Sequence, residues 1–449
     1  MREMKDSKLF WIDDIPSNWK IMPIKYLKSE QHNSFVDGPF GSNLKSQHYV
    51  EDGDVYVIES GFISTGKFIY KDFKTITKNH FKTIRRSEAT EGDVIIAKIG
   101  ANFGMSGELP QLNKPSVISG NSLKLTLNKN KILNFIFVKE MEIIKYTGGF
   151  ISIVNETAQP ALSLGSLNNF RLPVPPLEEQ YQIADFLDHK CSEIDALTAD
   201  IQTQIETLEE YKKSVITEAV TKGLDPNVEM KDSGVEWIGK IPADWNVTKI
   251  KYLFSSGKGL SITKADLEDN GLPVISYGQI HSKENTNTDI KDSLIRFVDN
   301  KYEVFKQCKV NQYDFVFADT SEDYDGCGNC CYKRDNSTLY AGYHSIVLHS
   351  FKERDNRFLA YLFKTDSWRK QLRETASGVK VFSITQKKLI NTSVILPPEN
   401  QRIIIADFLD QKCSEIDQTI SEKQQQLETL AEYKKSLIYE YVTGKKEVA

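Results

Sequence analysis

Apolar residues recur every seven positions in two long stretches of this chain. Leu187, Ile194, Ile201, Leu208 and Val215 form the first stripe, with Leu197 and Tyr211 filling part of a second seam beside it. Leu409, Ile416, Leu430 and Leu437 form the other, with Tyr433 in its second seam and Lys423 interrupting it. A sustained seven-residue apolar repeat marks a helix buried against another helix. Pro176 suits a first helical turn, Glu178 and Glu179 favour the positive end of the helix dipole, and Gly223 is a natural stop. The spacing predicts helices at about 178–222 and 400–443. About 45 residues at a rise of ~1.5 Å make a rod of about 67 Å. The simplest partner for each stripe is the other, antiparallel to it. The alternative is that each helix packs on its own domain.

The stripes belong to a duplication. Residues 183–221 align without a gap on 405–443, with 26 of 39 identical. Earlier, Glu3-Met4-Lys5-Asp6-Ser7 returns as Glu229-Met230-Lys231-Asp232-Ser233. Trp11-Ile12, Pro16 and Trp19 return as Trp237-Ile238, Pro242 and Trp245. The repeat divides the chain into a lead-in at 1–19, a middle at 20–170 and a helix at 171–223. A linker with a second lead-in at 224–245, a second middle at 246–395 and a second helix at 396–449 follow. The middles are nearly unrelated in sequence, yet both read as mixed α/β with short strands. Asp93-Val94-Ile95-Ile96-Ala97 and Asp314-Phe315-Val316-Phe317-Ala318 are apolar strands at matching positions. Asp37-Gly38-Pro39-Phe40-Gly41 and Ser256-Gly257-Lys258-Gly259 are matching turns. Residues 132–146 and 356–373 look helical. Constant ends around variable middles predict one scaffold presenting two unlike recognition surfaces, related by a pseudo-two-fold axis.

Charge sharpens that division. The chain carries a net −5, but residues 20–170 hold 18 Lys and Arg against 14 Asp and Glu, and residues 246–395 hold 22 against 18. The repeated segments are acidic, 5 against 11 in 171–223 and 7 against 10 in 396–449. An excess of four is small, and solvated faces alone could carry it. No apolar run approaches the roughly 18 residues of a membrane span. Six cysteines in 449 residues make no disulfide framework, so a cytoplasmic protein is expected.

Enzyme signals are poor. Gly61-Phe62-Ile63-Ser64-Thr65-Gly66-Lys67 imitates a phosphate loop, but Phe68 replaces the hydroxyl that would hold Mg²⁺. Asp225 with Glu229-Met230-Lys231 imitates a nuclease cluster, but the first copy lacks the Asp. No Asn-Pro-Pro-aromatic or Asp-Pro-Pro-Tyr motif of an amino-methyltransferase occurs. Cys327-Gly328-Asn329-Cys330-Cys331 has no second pair at zinc spacing, so no metal is expected. Cys191 and Cys413 read as small packing residues. The stronger signal is for DNA: Lys67, Lys71, Lys74, Lys78, Lys82, Arg85 and Arg86 interleave with Phe68, Tyr70, Phe73 and Phe81. A lysine-rich solvated edge strand would look the same.

Pro173-Val174-Pro175-Pro176-Leu177-Glu178-Glu179-Gln180, followed by Ile183-Ala184-Asp185-Phe186-Leu187-Asp188, resembles the helix-start motif of type I restriction–modification specificity subunits. Ile15-Pro16 with Trp19 and Ile241-Pro242 with Trp245 are similar to the lead-in of that family's target recognition domains. The resemblance covers the order domain, helix, domain, helix. The second copy departs from it at Leu396-Pro397-Pro398-Glu399-Asn400-Gln401, which is shortened. The resemblance implies two target recognition domains, at 20–170 and 246–395, separated by two long antiparallel helices. It implies no catalysis and no cofactor in this chain. Double-stranded DNA would be read as an interrupted, non-palindromic site. Two modification subunits would use S-adenosylmethionine to methylate adenine N6, and two restriction subunits would use ATP and Mg²⁺. A bifunctional methyltransferase or nuclease, and a non-catalytic DNA-binding scaffold outside restriction–modification, are the alternatives. For DNA contact the turns and loops favour Ser42, Asn43, Lys45, Lys67, Lys71, Lys74 and Gln159 in the first middle. In the second they favour Lys258, Ser261, Lys264, Gln279, Lys380 and Gln386. The amides could read adenine, and the lysines hold phosphates.

Overall fold

The computed structural model of the chain describes residues 2–63, 66–154, 160–352, 354–378 and 380–448. Contacts divide it into two compact units, 1–201 with 426–449, and 202–425. Both are built to one plan. In the first, Phe35–Asp37, Ser122–Leu125, Val94–Ala97 and Ser106–Glu108 lie side by side in that order, all antiparallel. In the second, Phe254–Lys258, Ser345–Ser350, Phe315–Ala318 and Cys330–Tyr332 repeat the order and the pairing. A second sheet also matches. Val55–Ile58 runs parallel to Ser116–Ile118 in one unit, and Leu272–Ile275 runs parallel to Tyr340–Ala341 in the other.

The apolar strands sit at the centre of this plan. All four residues of Val94–Ala97 and of Phe315–Ala318 are buried, as a strand covered on both faces requires. Each follows an aspartate that closes the turn before it. Asp93 accepts from the Thr90 backbone N–H at 2.8 Å, and Asp314 from that of Asn311 at 2.9 Å. The second expected turn begins later than its composition suggests, because Ser256, Gly257 and Lys258 complete the strand Phe254–Lys258. A helix follows in each unit, Asn134–Tyr146 in the first. In the second, the single helix expected at 356–373 is two, Arg357–Lys364 and Asp366–Thr375. Thr365 separates them: its backbone is extended, and its hydroxyl accepts from the Trp368 N–H to cap the second. Each domain is closed at its base by a two-stranded ribbon. Lys20–Pro23 pairs with Arg171–Val174, and Asn246–Lys249 with Ser393–Leu396.

The long helices span Leu177–Lys222 and Glu399–Val442. In the first unit Leu187, Cys191 and Ile194 share a core with Leu437, Ile438 and Val442. The Phe186 ring lies 4.4 Å from that of Tyr441, and Asp195 pairs with Lys434. In the second unit Ile216 and Ala219 share a core with Leu409 and Cys413, Lys212 meets Asp417 at 2.7 Å, and Lys423 bonds Gln204. In each unit the number on one helix falls as that on the other rises, so the helices pair antiparallel. The seam differs from the expected one. Leu197 and Tyr211 are 47% and 49% exposed, and Tyr433 is 53% exposed. The second seam runs through Cys191, Thr198, Ile205, Lys212 and Ala219, four residues after each member of the first stripe. Apart from Ile205 its side chains are small or amphipathic, so a search for large apolar residues misses it. Lys423, the apparent fault in the stripe, is half-buried and hydrogen-bonded.

The repeated tryptophans clamp these helices. Trp19 is fully buried and its indole donates to Glu179 at 3.0 Å; Trp245 is fully buried and donates to Gln401 at 2.6 Å. The far end of the other helix arrives at the same ring. Gly444, at φ +71°, packs on Pro16 and Trp19, and Gly223, at φ +81°, packs on Pro242 and Trp245. Any side chain there would meet both the strained backbone and the indole.

Glu140, in the helix Asn134–Tyr146, is fully buried, and among the described residues neither carboxylate oxygen has a partner. Desolvation raises its pKa well above the ordinary carboxylate value. The proton is therefore held more tightly in the folded chain, so this group costs stability as pH rises from its unfolded value near ~4.3 toward the folded one. Glu140→Met removes both orphaned oxygens and should raise stability by about 1–3 kcal/mol at neutral pH. Urea unfolding at pH 5 and pH 8 measures this, and the variant should gain more at pH 8. An equal gain at both would show that ionisation is not the cause.

Candidate nucleic-acid interface

One edge of each domain is built by two loops crossing at backbone contact. In the first unit the strand Phe35–Asp37 ends at Gly38, whose added Cβ would lie 1.8 Å from the Ser119 carbonyl oxygen. In the second the strand Phe254–Lys258 ends at Gly259, whose added Cβ would lie 1.9 Å from the Gly342 oxygen. Only glycine permits so close a crossing. The bonds around the two crossings also match. The Ser119 N–H donates to Ile58 at 2.9 Å, and the Gly342 N–H to Ile275 at 2.7 Å. The Lys98 N–H donates to the Asn121 oxygen at 2.9 Å, and the Asp319 N–H to the His344 oxygen at 3.1 Å.

The side chains on this common frame differ. In the first unit Phe40 is 57% exposed, with the Lys98 ammonium 4.2 Å from its ring and 3.0 Å from Asp37. In the second, Tyr277 meets Tyr343 at 5.5 Å and His344 at 5.4 Å, both edge-on, and His344 Nδ1 lies 3.2 Å from Asp319. His281 bonds the Thr320 carbonyl at 2.8 Å behind them. Aromatic rings, amides and cations at a rigid edge are the groups that grip phosphates and read base edges.

Several residues singled out from sequence gather here. Ser42 and Asn43 are exposed in the turn Gly41–Asn43 just past the first crossing, and the Asn43 carbonyl bonds His80 at 2.9 Å. Lys71 donates to the Gly61 carbonyl at 3.1 Å, and Lys74 pairs with Glu59 at 2.8 Å, both on the segment that follows Ile58. Lys258 is exposed at the end of its strand, and Ser261 is exposed three residues on. Gln279 accepts from the Ser276 N–H at 3.2 Å, and Ser276 packs against Gly342. Other residues lie apart from these crossings. Lys45 is exposed before the turn Ser46–His48, and Lys264 is exposed at the start of the turn Lys264–Asp266. Lys67 meets Asp195 of the first long helix at 3.0 Å. Lys380 is exposed before the short strand Phe382–Ser383, and Gln386 is half-buried at the start of the helix Gln386–Ile390. Gln159 lies outside the described residues.

The lysine pairs are of a kind that DNA can displace. Asp195 raises the Lys67 pKa by accepting its hydrogen bond, and Glu59 does the same for Lys74. The side chains are 64% and 53% exposed, and exposed pairs hold by ~1 kcal/mol or less. The residues expected at DNA do not include Phe40, Lys98 and Asn121, or Tyr277, Asp319, Tyr343 and His344. The available signal was the glycines: Gly38 with Gly120, and Gly259 with Gly342, mark the two crossings. Cys327, Cys330 and Cys331 are buried, and burial pushes the Cys331 thiol up to about 12. Among the described residues no helix is long and apolar enough to cross a membrane.

A family model described as the type I restriction modification DNA specificity domain matches residues 86–207 and 242–429. The chain is 26% identical over 441 residues to the type I restriction enzyme MjaVIII specificity subunit of Methanocaldococcus jannaschii, covering 96% of this chain and 93% of that one. It is 20% identical over 403 residues to the EcoKI specificity subunit of Escherichia coli, covering 88% and 82%. Among solved structures, the fold resembles a chain from work on assembly and conformational transition of the type I R-M system, with TM-score 0.69, 15% identity and coverage of 96% and 99%. It also resembles the HsdS subunit of Thermoanaerobacter tengcongensis, with TM-score 0.51, 15% identity and coverage of 96% and 98%.

Proposed function

The chain belongs to the type I restriction modification DNA specificity family, and from that premise we propose that each of its units reads one half of an interrupted, non-palindromic double-stranded site. The observation that carries this is the matched pair of glycine crossings bearing unlike side chains. A common frame with a changed edge reads two different sequences; two identical edges would read a palindrome. The chain is a non-catalytic specificity subunit. Two modification subunits holding S-adenosylmethionine would methylate adenine on the DNA it selects. Two restriction subunits holding ATP and Mg²⁺ would cut unmodified DNA, all in the cytoplasm. Exposed lysines such as Lys71, Lys74 and Lys258 would neutralise phosphates, and amides such as Asn43 and Gln279 would face base edges.

The purified chain alone should neither methylate nor cleave DNA, while a complex with its modification partner should methylate one two-part motif. Transfer of labelled methyl groups from S-adenosylmethionine, followed by single-molecule sequencing of methylated adenines, measures both. Methyl transfer by the chain without a partner would overturn the assignment.

A further inference from the structure

Resting on that reading, we infer that Asn121 and His344 are the base-reading residues of the two units, one for each half of the DNA site. They occupy the same place. Each carbonyl accepts the matching N–H, from Lys98 and from Asp319. Those two residues in turn accept from matching partners, Leu162 and Ile384, both at 2.9 Å. The backbone on either side is therefore held by the sheet rather than by the side chain.

The side chains are free to do something else. Asn121 is exposed, and its side-chain amide has no hydrogen-bond partner among the described residues. Its carbonyl and NH₂ groups match the adenine N7 and N6 edge. His344 is exposed, and Nδ1 is held by Asp319, which leaves Nε2 as the ring's remaining polar atom. Aromatic rings lie against His344, Tyr277 and Tyr343, while in the other unit Phe40 lies against Lys98, whose N–H the Asn121 carbonyl accepts. His344 also sits at φ +51°, a left-handed conformation that asparagine, aspartate and histidine adopt more readily than other side chains. A position that served only the turn would favour glycine or asparagine. Histidine tolerates it too, so what marks this position is the exposed imidazole held by Asp319.

His344→Asn suits the test, because asparagine tolerates that backbone and should not disturb the fold. In the full chain with its modification partner, it should alter one base position of one half of the methylated motif. Asn121→Ala should blur one position of the other half. Discrimination at the affected base pair should fall by about 5- to 150-fold. Thermal unfolding shows whether each variant folds, and His344→Gln repeats the test should the first not fold. Folded variants that methylate the wild-type motif with unchanged mismatch discrimination would overturn the inference. So would changes that both fall in the same half. A wild-type complex that methylates no sequence at all would instead overturn the functional reading, and this inference with it.

Discussion

Replacing residues 24–170 with the corresponding segment of another family member will change one half of the methylated motif and leave the other half as it was. The junctions lie at the ribbon in which Lys20–Pro23 pairs with Arg171–Val174. Because the chain comes into and leaves the domain on adjacent strands, a foreign domain with the same ribbon meets the same frame. The core beneath the ribbon includes Ile24, Leu172 and Val174, so the graft should retain apolar residues at those places. Affinity for the original sequence should fall by part of the roughly 10³–10⁷ that separates specific from non-specific binding, because the other half is still read. Sequencing of methylated adenines from cells carrying the chimera reads the result. A motif altered in both halves would mean that the two units do not read independently.

Trp19→Ala should destabilise the first unit by about 3–5 kcal/mol. The ring is fully buried, so truncation leaves a cavity between the first lead-in and both long helices. It also strips a donor from Glu179, which would keep only the Arg2 guanidinium at 2.8 Å. For a unit of this size the melting transition should drop by roughly 10 °C. Trp19→Phe retains most of the packing and loses the hydrogen bond, at a cost of about 1.5–3 kcal/mol for a bond to a charged group. Trp245→Ala should act in the same way on the second unit. Calorimetry resolves the two, because each variant should displace a different transition. If both variants lower a single transition equally, the clamps do not stabilise their units separately.

The parts of this fold with long-range regularity were legible in the residues. Heptad spacing located both helices to within a residue or two, and the repeated Pro-Pro and Trp motifs marked where each begins. The buried strands at 94–97 and 315–318 announced themselves as unbroken apolar runs after an aspartate. What escaped was decided by neighbours in space. The true second seam is lined by Cys191, Thr198 and Lys212, whose burial depends on the facing helix. The break at Thr365 turns on one hydroxyl choosing a backbone N–H. The crossings at Gly38 and Gly259 were read as turns, but their close approach to residues some eighty positions away has no local signature. For that reason the residues expected from sequence lie around these crossings or apart from them and do not include Asn121 or His344.

The reciprocal clamp gives each unit the same joint between a lead-in and the end of a long helix. Residues 224–228 carry the chain from the cap at Gly223 into the lead-in that holds Trp245. In the first unit the cap at Gly444 already rests on the lead-in that holds Trp19, so only the covalent link differs. Each unit is thus shut by the same joint, made in the second with the chain running on through it and in the first without. The clamp of the first unit must hold by packing alone what the second also holds by chain continuity.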